Sequence, residues 1–252
     1  MLAAAEAALD AAAAAIRPHF RAGVTADDKS DASPVTVADR GAEQAMRAVL
    51  AERFPSFGIV GEEFEPDGAG RRFCWVLDPI DGTRAFITGR PIFGSLIALL
   101  DGDTPVLGMI DQPITGERWI GLVGEPTRFQ GAYGRAGCRP CPRLDAAELA
   151  CTSPDIFDAA GWAKFQAVQR AVKRTSWGGD CYAYGLVALG GVDVMVEAGL
   201  KLWDWAALVP VIEGAGGMVR DWTGAPLRRG GSGDVIAVGD PALMPQIVDI
   251  LR

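Results

Sequence analysis

Residues 73–83 read FCWVLDPIDGT, an apolar run that ends in two carboxylates held three residues apart. No other stretch limits the fold as much. Phe73 to Leu77 has the length and the aromatic and β-branched character of a buried strand. Asp78 precedes a proline, so its backbone stays extended, and Pro79 withdraws one backbone donor and stiffens the exit. Asp81 then turns the chain, Gly82 permits close backbone approach, and Thr83 opens a segment, Arg84-Ala85-Phe86, that can be helical. Two carboxylates and the Ile80 carbonyl can therefore converge at the carboxyl end of a strand. Oxygen donors of this kind suit Mg²⁺ or Mn²⁺. The amides of Gly82 and Thr83 at a helix start can hold a phosphate beside such an ion. The competing reading is a plain turn, since Asp, Pro and Gly are what turns use.

Two further acids stand in similar places. Gly61-Glu62-Glu63 follows the apolar run Phe57 to Val60, and Trp203-Asp204-Trp205 precedes an apolar helix, where an N-cap is the alternative role for Asp204. Acids at the ends of three buried elements are hard to explain as three unrelated turns.

The elements around them alternate. Helices are expected over 3–20, 35–54, 158–172, 181–189, 206–215 (with Pro210 as a bend) and 241–251. On the apolar face of the second helix stand Val37, Ala42, Ala45, Met46, Val49 and Leu50. Strands are expected over 57–60, 73–77, 92–100, 105–113, 118–123, 131–134, 192–196, 217–221 and 235–238. The pattern predicts an α/β (α+β layered) class, with two sheets packed between helices. We divide the chain into an N-terminal half, 1–130, and a C-terminal half, 131–252, with the boundary within Gly124 to Arg143.

Bulk properties remove several functions. A net charge of −8 argues against a nucleic-acid binder, which would carry a basic stripe. It leaves an anionic small substrate open, because bound cations reverse the sign of a site. The single histidine, His19, sits at a helix end beside Pro18, which excludes histidine-rich zinc sites and leaves little for a Ser-His-Asp triad. Cys138-Arg139-Pro140-Cys141 has the spacing of half a zinc site without a second half, so a loop with two thiols is expected. The alanine-rich start lacks a basic leader and contains Glu6 and Asp10, and no apolar stretch is long enough to span a bilayer. With an odd number of scattered cysteines, these features predict a reduced, cytoplasmic protein without membrane partners.

Taken together, Gly61-Glu62-Glu63, Asp78-Pro79-Ile80-Asp81-Gly82-Thr83, and Trp203-Asp204 ahead of Glu213-Gly214-Ala215-Gly216-Gly217 resemble the inositol monophosphatase family over nearly the whole chain. The resemblance implies an αβαβα sandwich of the inositol monophosphatase/fructose-1,6-bisphosphatase type. It also implies Mg²⁺-dependent phosphomonoester hydrolysis with two or three ions per site (Mn²⁺ as a substitute), lithium sensitivity and a homodimer. It maps metal ligands onto Glu62, Asp78, the Ile80 carbonyl, Asp81 and Asp204. Asp39 and Thr83 match the pair that activates water, with Glu62 alongside them, and Lys29 matches a residue near the metals. Gly82 and Thr83 fall against the substrate phosphate, Arg84 is a further substrate-binding residue, and Glu197 and Asp180 fall against the alcohol.

The string Gly178-Gly179-Asp180-Cys181-Tyr182-Ala183-Tyr184, with Arg84-Ala85-Phe86, resembles the histidinol-phosphate phosphatases of this family. Two acids facing the leaving group favour a cationic alcohol. The alternatives are that Asp180 merely caps a helix starting at Cys181, and that Tyr182 and Tyr184 are core or interface residues. Three functions are carried forward: histidinol-phosphate hydrolysis, a broader inositol or polyol phosphatase, and an inactive regulatory relative. Retention of Glu62, Asp78, Asp81, Thr83 and Asp204 speaks against the last.

Overall fold

The first helix, α1 (Leu2–Ile16), buries Ala5, Ala8, Leu9, Ala12 and Ile16, a spacing of three and four residues that makes one stripe. It stops short of the expected end because Pro18 has no N–H to continue the ladder, and Arg17–His19 close as a 3-10 turn. The computed structural model describes residues 1–23, 27–28 and 34–252. Two-residue strands β1 (Asp27–Asp28) and β2 (Pro34–Val35) pair antiparallel. Thr36 then caps α2 (Val37–Arg53): its hydroxyl accepts the Ala38 N–H, and its own N–H donates to Asp39. Such a reciprocal cap contributes about 1 kcal/mol. The buried stripe of α2 differs from the expected one. Val37 is exposed, and Asp39 and Glu43 are buried with Ala42, Met46 and Leu50.

A six-stranded sheet follows, built from β3 (Gly58–Gly61), β4 (Phe73–Asp81), β5 (Gly94–Asp101), β6 (Thr104–Gln112), β7 (Glu117–Leu122) and β8 (Arg128–Gln130) in that spatial order. The β3–β4 pair is parallel and the other pairs antiparallel. The short helix α3 (Thr83–Ile87) leaves β4 where the sequence suggested it could. The last strand lies a few residues before the expected 131–134.

The second half forms a five-stranded sheet of β9 (Glu148–Cys151), β10 (Arg174–Trp177), β11 (Val194–Glu197), β12 (Met218–Arg220) and β13 (Val235–Val238), ordered β10-β9-β11-β13-β12. Its helices are α4 (Ala159–Ala171), α5 (Asp180–Val187), α6 (Leu202–Trp205), α7 (Leu208–Gly214) and α8 (Met244–Leu251). The helix expected over 206–215 is present as α7, with the separate one-turn α6 ahead of it. Pro210 sits in the first turn of α7, where its missing N–H leaves nothing unpaired.

Alternation along β4 explains the layering. Trp75 and Leu77 pack with α1 and α2, whereas Cys74 and Val76 point to the opposite cluster. That second cluster joins β4, β5 and β6 to α5, α7 and the inner residues of β9, β11 and β13, among them Ala150, Met195 and Ala237. The other face of the second sheet, with Leu149, Val194 and Ile236, is covered by α4 and α8. The result is helix, sheet, helix, sheet, helix. A strand covered on both faces reads as a continuous apolar run, which is why 73–77 was conspicuous. Among the described residues no helix is long and apolar enough to cross a membrane.

Candidate active site

The end of β4 carries the first two acids. Asp78 pairs with Leu96 and Asp81 with Gly94, so the strand bulges between them. The bulge is pinned: the Ser95 hydroxyl donates to the Pro79 carbonyl at 2.7 Å, and the Ile80 N–H to Asp78 Oδ1 at 3.0 Å. Asp204 arrives from α6, where its carboxylate accepts the Lys201 N–H at 2.7 Å. It lies inside the first turn of α6 and bonds back to the residue that caps the helix, so it serves the helix start while facing the other acids.

Oxygens of Asp78, Asp81 and Asp204 all fall within 4.8 Å of one another. Crowding of this kind raises proton affinity. Burial, then the charges of Glu62, Asp81 and Asp204, hold Asp78 well above the ordinary carboxylate range. Burial, then Asp180 and Asp204, do the same for Asp81. Asp204 is pushed up to about 7, chiefly by burial and against the Lys201 N–H bond. Three clustered carboxylates make an all-oxygen donor set that fits a hard divalent cation. Among the described residues no other group of acids, thiols or histidine meets the same test. Cys138 and Cys141 are free thiols, in keeping with a simple loop.

Glu62 follows β3 and lies close enough to Asp78 to share a hydrogen bond with it. Its placement depends on Glu43, which the sequence reading missed. Glu43 is fully buried on α2; one oxygen accepts Arg47 Nε and the other the Glu63 N–H, both at 2.7 Å. A Cβ on Gly61 would stand 2.1 Å from the Glu43 carboxylate, so a side chain there would push that carboxylate out of its bonds to Arg47 and Glu63. The available signal was the spacing of Asp39, Glu43 and Arg47, four residues apart on one helix.

Asp39 is buried beneath Thr83. The Thr83 hydroxyl stands 3.3 Å from Asp39 Oδ1 and 3.1 Å from the Ile80 carbonyl, while Asp39 Oδ2 is held by Thr36. Burial raises the Asp39 pKa, and the Thr36 bonds oppose the rise. Lys29 lies outside the described residues.

Glu62, Gly82, Thr83, Arg84, Asp180 and Asp204 line one opening, of about 320 Å³. Asp81, Asp180, Glu197 and Asp204 line an adjoining cavity of about 180 Å³. Asp180 does not cap α5. Gly179 is the capping residue, Asp180 is the first residue of the helix, and its backbone is left-handed at φ +42. Gly82, at φ +90, makes room for it, since a Cβ there would lie 2.9 Å from Asp180 Oδ2. Burial and then the Glu197 charge push Asp180 up to about 7, with Arg90 and Arg84 pulling the other way. The next residue, Cys181, donates its N–H to Asp81 Oδ2. Tyr184 is a buried residue whose hydroxyl bonds Glu197, and the Tyr182 hydroxyl bonds Glu117, both at 2.8 Å.

Fold and acids together define a layered α/β phosphatase. The sequence profile of the inositol monophosphatase family matches residues 1–252, and the chain belongs to that family. It is 45% identical over 252 residues to a bifunctional phosphatase, IMPL2, chloroplastic, of Arabidopsis thaliana, covering 96% of this chain and 72% of that one. A histidinol-phosphatase of Mycobacterium tuberculosis is 37% identical over 216 residues, 82% of this chain and 81% of its own. The solved structure of an inositol monophosphatase from Zymomonas mobilis superposes with a TM-score of 0.89 at 51% identity, covering 99% of this chain and 96% of that one.

Proposed function

We propose that the protein hydrolyses L-histidinol phosphate to L-histidinol and phosphate, a step of histidine biosynthesis, with Mg²⁺ held by Glu62, Asp78, the Ile80 carbonyl, Asp81 and Asp204. One observation carries the choice of alcohol: Asp180 and Glu197 face the same cavity as Asp81 and Asp204. The leaving-group side is therefore acidic beyond what a metal site requires. An ammonium or imidazolium entering there would offset the burial of those carboxylates. Two relatives named histidinol-phosphatase, at 37% and 34% identity, support the reading.

When bound, the divalent cations supply positive charge to the phosphate and acidify the attacking water. The chain's own groups do the rest. Thr83 and Asp39 accept and relay the proton of that water, and Glu62 stands beside them as a ligand with a share in activating it. The amides of Gly82 and Thr83, with Arg84, receive phosphate oxygens. Lys29 is proposed to stand near the metals. The acting unit is proposed to be a homodimer, and five free thiols support a reducing compartment such as the cytoplasm.

A second reading, inositol 1-phosphate or a related polyol phosphate as substrate, is favoured by the 51% identity to the Zymomonas mobilis inositol monophosphatase. The test is phosphate release from L-histidinol phosphate and inositol 1-phosphate in parallel, with Mg²⁺ and then with EDTA. Mg²⁺-dependent preference for L-histidinol phosphate is expected. Preference for inositol 1-phosphate would keep the mechanism and overturn the role given to Asp180.

A further inference from the structure

Both oxygens of Glu197 are already engaged by the protein. Oε1 accepts the Thr152 N–H at 2.6 Å and Oε2 accepts the Tyr184 hydroxyl at 2.8 Å. A carboxylate offers about four lone-pair sites, so roughly two remain for a ligand. Tyr184 itself is 1% exposed, and its hydroxyl is committed to Glu197. It stands four residues after Asp180 on α5, on the same helical face. The start of that helix is bonded to Asp81 through the Cys181 N–H. One helix of eight residues thus sets the spacing among Asp81, Asp180 and Glu197.

We propose that Tyr184 is a positioning residue: it fixes Glu197 as a charged acceptor for a donor group on the substrate's alcohol, at a set distance from Asp180. This rests on the reading of the site as one for a phosphomonoester with a donor-bearing alcohol. Without the hydroxyl, Glu197 Oε2 is short of a donor in a buried place, and the carboxylate is free to turn. The consequence falls on substrate binding, because the Tyr184 hydroxyl donates its hydrogen bond to Glu197 and not to a member of the acid cluster or to Thr83.

The test compares Tyr184→Phe, Glu197→Gln and the double variant, as folded enzymes with Mg²⁺, on two substrates. One is L-histidinol phosphate; the other is p-nitrophenyl phosphate, whose leaving group offers no hydrogen-bond donor. Tyr184→Phe keeps the ring and its packing, and thermal melting checks each variant. For Tyr184→Phe the expected result is KM for L-histidinol phosphate raised roughly tenfold with kcat nearly unchanged, and p-nitrophenyl phosphate kinetics as in the parent. The double variant is expected to be no worse than Glu197→Gln, because Tyr184 acts through Glu197. Equal loss on both substrates, or losses that multiply in the double variant, would overturn the proposal. If the parent enzyme turns over inositol 1-phosphate and not L-histidinol phosphate, the substrate reading fails separately. The same cycle run on inositol 1-phosphate, whose hydroxyls are donors, then decides the role of Tyr184.

Discussion

The Thr83 hydroxyl lies 3.3 Å from Asp39 Oδ1, while the other oxygen of Asp39 is held by the N–H and hydroxyl of Thr36. The carboxylate thus does two jobs, capping α2 with one oxygen and meeting Thr83 with the other. Thr83→Val and Asp39→Asn should each lower kcat about 100-fold or more, the range for losing a general acid–base partner. Asp39→Asn keeps an oxygen for the Thr36 N–H, so its melting temperature should stay close to the parent's. Asp39→Ala should lose activity and also about 1 kcal/mol of cap stability. Full activity in Thr83→Val would remove the pair from the mechanism.

Metal removal should make stability depend on pH with a definite sign. Burial and mutual repulsion raise Asp78 and Asp81 above their ordinary values, and Asp204 to about 7. Without metal the folded state therefore holds protons that the unfolded chain releases, and stability falls as pH rises from about 4 towards about 7. EDTA-treated protein is expected to melt higher at about pH 5 than at about pH 7.5. Added Mg²⁺ should raise the melting temperature more at the higher pH, where the carboxylates are not competing for protons. An EDTA-treated protein that gains stability across that range would contradict the cluster's electrostatics.

Asp180 occupies a left-handed backbone conformation that costs a non-glycine residue roughly 1–2 kcal/mol. Strain kept at such a place points to a function for the side chain. Asp180→Gly should raise the melting temperature by a few degrees while lowering kcat/KM. The loss should be far larger on L-histidinol phosphate than on inositol 1-phosphate. Equal losses on the two substrates, measured side by side, would show that the carboxylate does not select the alcohol.

Glu43 touches no substrate, yet it shapes the turn that presents Glu62. Glu43→Gln exchanges one acceptor oxygen for a donor facing the Glu63 N–H or Arg47. Outer supports of metal ligands typically contribute about 10–100-fold to metal affinity. The Mg²⁺ concentration for half-maximal activity should therefore rise by that order, with little change in kcat at saturating Mg²⁺. An unchanged Mg²⁺ requirement would reduce Glu43 to a packing residue.

The acid cluster was legible because strand-end carboxylates beside a proline leave a local signature, and Asp78, Asp81 and Asp204 do meet. The layers were legible from alternating apolar elements. Strands β9 and β10 were not, because Glu-Leu-Ala-Cys and Arg-Thr-Ser-Trp are four residues each and lack a clear period of two. Their pairing is parallel and non-local, so nothing nearby in sequence announces it. Glu43 and Tyr184 were missed as supports for the same reason: a buried acid on a helix and a tyrosine in an apolar run declare their partners only once distant elements are packed. The left-handed turn at Asp180 is hidden too, since the sequence offers Asp180 itself as the cap of a helix starting at Cys181, and the structure gives that place to Gly179.

The three clustered acids come from places far apart in the chain, Asp78 and Asp81 from β4 and Asp204 from α6 beyond the second sheet's central strand. A nascent chain that has completed only its first sheet would hold two of the three. Cation uptake would then be a late event in biogenesis, following synthesis and docking of the second half. Occupancy by the ion would report that the chain had been made at least as far as α6 and that α6 had docked against β4, and a copy lacking that helix would be silent as a phosphatase.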